Sequence, residues 1–277
     1  MDATVRRSLH ALLAIPLALT AAPAPAAAQV ADAGDPDDAW CDRAWAGDDR
    51  VHWCEVRELP LPAPGDLAVD ADPNGGIHVE AWDRDEILVR ARVLTHADDE
   101  GDARALARRI RIESDGRVRA EGPDLDRGRD RGWSVSYRVF VPRRTNLDLE
   151  ATNGGLDVVA VEGRLRLRTL NGGITLDGVA GDVRGRTTNG GLRVHLAGDR
   201  WRGDGLDLAT TNGGVRLAVP EPYSARLVTG TVNGPLRLDF PIFVQGRIDR
   251  TIETTLGDGG ATIHVATTNG SVVVERS

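Results

Sequence analysis

Asparagine followed by two glycines stands at Asn74, Asn153, Asn171, Asn189 and Asn212, and returns in looser form as Asn233-Gly-Pro and Asn269-Gly-Ser. Aligned on the Asn, the copies share far more than a turn. Six residues before it stand Leu147, Leu165, Val183, Leu206, Leu227 and Ile263; four before it, Leu149, Leu167, Gly185, Leu208, Thr229 and Val265. Three residues after it come Leu156, Ile174, Leu192, Val215, Leu236 and Val272; five after it, Val158, Leu176, Val194, Leu217, Leu238 and Val274. The residues between are mostly Arg, Asp or Thr. Alternation on both sides of a turn means two half-buried strands per unit.

Successive Asn are 18, 18, 23, 21 and then 36 residues apart, with LGDGG at 256–260 inside the last gap. A self-similar period near 20 with no helix inside it marks stacked coils. The fold class read from this is all-β, a β-solenoid-like stack of two-stranded repeats with one short helix in the N-terminal half. Each coil sets its Asn over that of the previous one, and the amides hydrogen-bond in a ladder. A twisted antiparallel hairpin sheet is the alternative, because Asn-Gly also serves hairpin turns. In either case Asn153, Asn171, Asn189, Asn212, Asn233 and Asn269 are structural corners. A calcium reading would need an Asp in every glycine-rich turn, and only Asp258 fits.

The outward positions carry the charges. Five and three residues before each Asn stand Asp148 and Glu150, then Arg166 and Arg168, then Arg184 and Arg186, then Asp207 and Ala209. A parallel in-register stack pairs acid with base at the first and last steps. The middle step puts Arg beside Arg, where an acid from elsewhere or an anionic ligand is expected. On the other strand of each unit, Arg193, Arg216 and Arg237 fall four residues after the Asn. They form a candidate partner-binding stripe suited to an anionic glycan or phosphate, since stacked like charges are mildly destabilising.

The first 28 residues read as a secretory signal peptide: Arg6 and Arg7, the apolar stretch Leu9–Thr20, and Ala26-Ala27-Ala28 before Gln29. That apolar stretch is too short to span a bilayer. Cys41 and Cys54 then lie in an exported chain and read as a disulfide, worth about 3 kcal/mol on the chain-entropy model. The domain reading is residues 29–60 as the disulfide-bearing segment, 61–146 as a β-rich N-terminal half and 147–277 as the repeat region, with 61–277 one continuous domain. Within the N-terminal half, LAVDADPNGGIHVEAW is a degenerate repeat, DDEGDARALARRI a helix with Ala103, Leu106, Ala107 and Ile110 on one face, and RIESDGRVRAE a hairpin.

The net charge is −8, and the first 28 residues, which hold Asp2, Arg6 and Arg7, remove one unit of positive charge from the remainder. That balance argues against nucleic acid. The histidines His52, His78, His96, His195 and His264 share no motif, and no GxSxG, HExxH or phosphate loop occurs. No catalytic residue, metal site or cofactor is assigned. The triplet Arg202-Gly203-Asp204 is expected by chance in a chain this rich in Arg, Gly and Asp.

Three segments, Tyr137–Pro142, Thr188–Val194 and Gly257–Val272, carry YxVxVP, TTNGGLxV and GDGGAxIxVxTTNGxV patterns. On these the chain resembles the bacterial exported domains labelled putative adhesins, a family of unknown function with TNGG-type β repeats, over residues 60–277. The sequence departs from the pattern at Pro235 and in the 242–254 insertion. The resemblance implies surface contact at the cell envelope, and envelope-stress signalling in some relatives; it brings no catalytic residues. The function expected is a non-catalytic, adhesin-like binding module at the envelope, periplasmic or extracellular, with an envelope glycan or protein as partner. A regulatory partner-binding module of an envelope-stress response is the alternative, and a glycan-active enzyme the third. Ligand and oligomeric state are left open.

Overall fold

The computed structural model of the chain describes residues 40–41, 51–63, 65–124, 131–239 and 251–277. The signal-peptide reading of residues 1–28 and most of the 242–254 insertion lie outside the described residues. In chain order the elements are β1 (Val51–Pro62), β2 (Asp66–Asp70), β3 (Ile77–Trp82), β4 (Glu86–Ala97), helix α1 (Glu100–Ala107), β5 (Arg111–Glu113), β6 (Val118–Glu121) and β7 (Gly132–Pro142). The repeats come next, as strand pairs. These are β8 (Asn146–Ala151) with β9 (Leu156–Val159), β10 (Glu162–Thr169) with β11 (Ile174–Asp177), and β12 (Ala180–Asn189) with β13 (Leu192–His195). After them are β14 (Gly205–Asn212) with β15 (Val215–Val219), and β16 (Ala225–Asn233) with β17 (Leu236–Leu238). A single strand, β18 (Thr251–Leu256), precedes the last pair, β19 (Thr262–Asn269) and β20 (Val272–Arg276).

Each pair gives one strand to each of two ten-stranded sheets. Sheet A runs β1-β4-β7-β3-β9-β11-β13-β15-β20-β17, and sheet B runs β18-β16-β19-β14-β12-β10-β8-β2-β6-β5. Neighbouring repeat strands are parallel and in register, Leu165 opposite Leu147 and Val183, Ile174 opposite Leu156 and Leu192. The hairpin alternative is therefore not adopted among the repeats. Strand alternation sends the aligned Leu, Ile and Val of both sheets into one core, with Leu236 and Leu238 on the edge strand β17 only partly buried.

The coils do not follow chain order to the end. The pair β19–β20 lies between the Asn212 coil and the Asn233 coil, in both sheets. The expectation that each Asn sits over its sequence predecessor is corrected at this step. The cause is β18, which runs antiparallel along the outer edge of β16. The LGDGG turn, with Gly257, Gly259 and Gly260 at positive φ, then brings the chain to the other side of β16. The coil with the better core residues, Val272 and Val274 fully buried, takes the interior seat, and the coil carrying Pro235 takes the edge.

Antiparallel β4 and β1 extend sheet A at the other end. There α1 covers the core with Ala103, Leu106 and Ala107. The Asp99 side chain caps it by accepting from the Asp102 amide at 2.8 Å. Arg57 donates to the carbonyls of Ile110 and Ala107 at the helix C-terminal end. Cys41 and Cys54 are disulfide-bonded, with their Cα atoms 5.8 Å apart. The bond holds Trp40 against the outer face of sheet A, where its ring meets the guanidinium carbons of Arg92 and Arg138 at 5.0 and 4.9 Å. Strand β1 runs through residue 60 without a break, so Cys54 stands in the same sheet as the strands of the N-terminal half. The described residues from 40 to 277 fall in one compact unit.

Candidate functional site: the outer faces and the repeat corner

The corner explains the TTNGG motif position by position. The first Thr points inward, and its hydroxyl donates to the first Gly carbonyl of the preceding coil in the stack. Thr169 reaches Gly154, Thr187 Gly172, Thr210 Gly190, Thr267 Gly213 and Thr231 Gly270, at 2.7–2.9 Å. The Asn side chains form a one-way ladder in which each amide N–H donates to the next Oδ1. The order is Asn233, Asn269, Asn212, Asn189, Asn171, Asn153 and Asn74.

The first Gly is obligatory because a Cβ there would sit about 2 Å from the carbonyl oxygen of the Gly one coil back, as at Gly172, Gly190 and Gly213. At the second Gly the same test gives 3.0–3.5 Å at Gly155, Gly173, Gly191 and Gly214. That position tolerates other residues, and Ser271 and Pro235 occupy it. The Pro235 carbonyl still accepts from the Val272 amide at 2.9 Å.

On the outer face of sheet B the charges fall across neighbouring strands. Arg166 faces Asp148 and Arg168 faces Glu150 in register. Arg168 Nη1 donates to Glu150 Oε1 at 2.9 Å and to Asp148 Oδ1 at 3.5 Å. Arg117, beside the β5–β6 hairpin, joins the same two acids at 3.1 and 3.2 Å. At the Arg-beside-Arg step, Arg166 and Arg184 share Asp182, at 3.3 and 3.2 Å. Sequence reasoning missed Asp182. Its signal is the outward parity it shares with Arg184 and Arg186, two residues further back along β12.

Arg186 pairs with Asp207, which also accepts from His264 Nδ1 at 2.8 Å. Burial acts to raise the Asp207 carboxyl, but the hydrogen bonds from Arg186 and His264 outweigh it and hold the group below its usual range. His195 makes a like cross-coil pair with Asp177 at 3.1 Å on sheet A.

A groove of about 540 Å³ crosses this face beside the corner, lined by Arg168, Leu170, Arg186, Thr188, Thr211 and Thr268 among others. The three Thr are exposed and stand one residue before their Asn, on the adjacent strands β12, β14 and β19. The same row holds Leu170 and Val232, 46% and 49% exposed. Small residues, Ala209, Ala266 and Gly230, stand two positions further back along the same strands. Parity within the motif contains this row, which the sequence reading did not single out.

On sheet A, Arg193 and Arg216 stand opposite each other. Arg237 does not join them. The inserted coil puts Val273 between Arg216 and Arg237, so the three-arginine stripe is corrected to an adjacent pair. Arg216 also carries an ion pair to Glu275 at 3.2 Å. In the Arg202–Asp204 triplet, Gly203 (φ 112°) packs on the Gly181 backbone, and the Arg202 carbonyl accepts from the Gly181 amide. The triplet is a structural corner.

Among the described residues no group of three or more His, Cys, Asp or Glu is placed to hold a metal ion. No helix among them is long and apolar enough to cross a membrane.

No family model matches the chain, and no curated protein matches it. Among solved structures, one from Clostridium sporogenes described as "a putative cell adhesion protein" is similar, with 9% identity and a TM-score of 0.43 over 81% of this chain and 100% of that one. One from Bacteroides fragilis described as "a putative adhesin" has 9% identity and a TM-score of 0.41, over 81% and 97%. One from Parabacteroides distasonis described as a "putative lipid binding protein" has 9% identity and a TM-score of 0.33, over 81% and 96%.

Proposed function

We propose that the chain is exported and acts at the cell envelope as a non-catalytic binding module, with the outer face of sheet B as its contact surface. The observation that carries this reading is the groove beside the corner. It combines paired arginines with a row of three exposed hydroxyls on a frame fixed by strand pairing and the amide ladder. Such a surface meets a partner without first having to be ordered, which lowers the cost of association. The Cys41–Cys54 bond supports an oxidising compartment, periplasmic or extracellular.

Labelled mature protein incubated with intact cells and isolated envelopes tests the reading. Binding is expected, and Thr188→Glu with Thr211→Glu should abolish it. Arg193→Gln with Arg216→Gln on sheet A measures what the second face adds. Binding unaffected by the groove substitutions would overturn the assignment of this face. Protease treatment of the envelopes separates a protein partner, the regulatory alternative, from a glycan.

A further inference from the structure

We infer that the sheet B groove takes a linear acidic polysaccharide lying along the stack, with the carboxylate of one sugar seated between Arg168 and Arg186. This rests on the binding reading above and deepens it. Arg168 and Arg186 occupy facing positions on β10 and β12, which places two cations one strand spacing apart. The pair two residues back in the same strands, Arg166 and Arg184, has the same geometry, and there the chain supplies the bridging acid, Asp182.

No described carboxylate bridges Arg168 and Arg186. Their own partners draw them apart, Arg168 towards Glu150 and Asp148 on β8, Arg186 towards Asp207 on β14. Arg168 spends only Nη1 on those acids, so Nε and Nη2 remain to meet an incoming carboxylate. Arg186 gives Nη1 to the Gly185 and Asp207 carbonyls and Nη2 to the Asp207 carboxylate, so it offers Nε and its charge. Both arginines line the groove.

The rest of the lining selects a sugar polymer over a small anion. Leu170, just past the end of the strand of Arg168, offers an apolar patch to the C–H face of a ring. From the gap onward, Thr188, Thr211 and Thr268 repeat one hydroxyl per strand, and Ala209 keeps the floor low. A single carboxylate uses the arginines alone; an extended polyhydroxylated chain uses the whole row. The net charge of −8 and the lining acids Glu150 and Asp72 on the β8 side of the groove repel a polyanion, so its binding must be local to this gap and extend from it over the Thr strands.

Calorimetric titration of the mature, disulfide-intact protein provides the test, with soluble polyuronates, neutral glycans of the same linkages and a uronic acid monomer as probes. A polyuronate is expected to bind, with the neutral chain and the monomer each at least about tenfold weaker, the scale of one lost charge-assisted hydrogen bond. Arg168→Gln and Arg186→Gln should each weaken polyuronate binding by about tenfold or more, while Arg193→Gln leaves it unchanged. Arg168 is a surface residue, so unchanged circular dichroism is expected to show that its variant is folded. Equal affinity for the neutral chain, no polyuronate binding, or indifference to Arg168→Gln would overturn the inference. If groove substitutions still block binding to envelopes while polyuronates fail, the binding module stands and the acidic glycan falls. If they do not block it, both fall.

Discussion

The Thr267 hydroxyl donates to the Gly213 carbonyl at 2.8 Å, across 54 residues of sequence. Thr187 makes the same bond to Gly172, at 2.7 Å, across 15. The bond therefore belongs to a seat in the stack and is indifferent to which repeat fills it. Because the hydroxyl is buried, a slip of one residue would turn it to the outside and bring its neighbour in. Register is fixed once per interface.

The two glycines of the corner should respond very differently to a methyl group. At Gly190 a Cβ would lie 2.0 Å from the Gly172 carbonyl oxygen; at Gly191 it would lie 3.2 Å from that of Gly214. Neither has a positive φ, so the contrast is steric. Gly190→Ala should cost about 3 kcal/mol or more, and Gly191→Ala under about 1 kcal/mol, in urea unfolding. Equal midpoints for the two variants would remove the explanation given for the motif.

Asn189→Ala removes one ladder bond to Asn171 and one from Asn212. Both neighbours are exposed, so water replaces part of what is lost, and a cost of about 1 kcal/mol is expected. Thr188→Ala, on the adjacent exposed position, is the control and should change little. A cost for Thr188→Ala matching that of Asn189→Ala would show that the ladder adds nothing.

Ala160 has φ 58°, a conformation that costs a residue with a Cβ roughly 1–2 kcal/mol. The next coil places Gly178, φ 60°, at the equivalent turn. Ala160→Gly should raise stability by about 0.5 kcal/mol, the strain relieved exceeding the added unfolded-chain entropy. A lower melting temperature in this variant would contradict the strain.

The sequence has two tyrosines, Tyr137 and Tyr223. Burial raises both phenols, Tyr223 to about 12, with the Asp70 charge also acting on Tyr137. An unfolded tyrosine titrates near pH 10, so the fold keeps protons that the unfolded chain releases. Their contribution is intact below about pH 10 and is lost as the pH rises towards and past 12. Phenolate absorbance should therefore rise together with loss of the β-sheet circular dichroism signal. Phenolate appearing near pH 10 in a folded protein would count against burial of these rings.

Reduction of Cys41–Cys54 should release Trp40 from Arg92 and Arg138 and speed amide exchange along β1, the outermost strand of sheet A. Exchange along β10 to β15 should not change, because four strands separate β1 from β11. Exchange mass spectrometry of the Cys41→Ser, Cys54→Ser protein reads both. Loss of protection throughout would mean that the disulfide holds the stack as well as its end.

What was legible in the sequence is what repeats. Leu165, Val183 and Ile174 occupy the inward positions that alternation assigns them, because strand parity is local and each copy restates it. The seat of the Asn269 coil was not legible, since its motif fits any position in the stack equally well. Its place depends on β18 and on which strand tolerates an edge, relationships between distant segments. The same limit displaced Arg237 from Arg216. Asp182 was missed for a different reason: it stands outside the two outward positions followed in the repeat, although its parity matches theirs. For the groove, the sequence marked the Arg–Arg step but not the row of hydroxyls beside it.

The inserted coil also sets a timetable. Strands β16 and β17 leave the ribosome before β19 and β20, yet among the described strands their parallel neighbours are those later two. Until residues 262–276 arrive, the preceding coil has nowhere to dock, and the open ends of β14 and β15 wait with it. The far end of the stack thus closes like a latch, only once residues 262–276 are available. In an exported chain, as proposed above, that delay keeps β16 and β17 from taking their parallel partners until residues 262–276 have followed them.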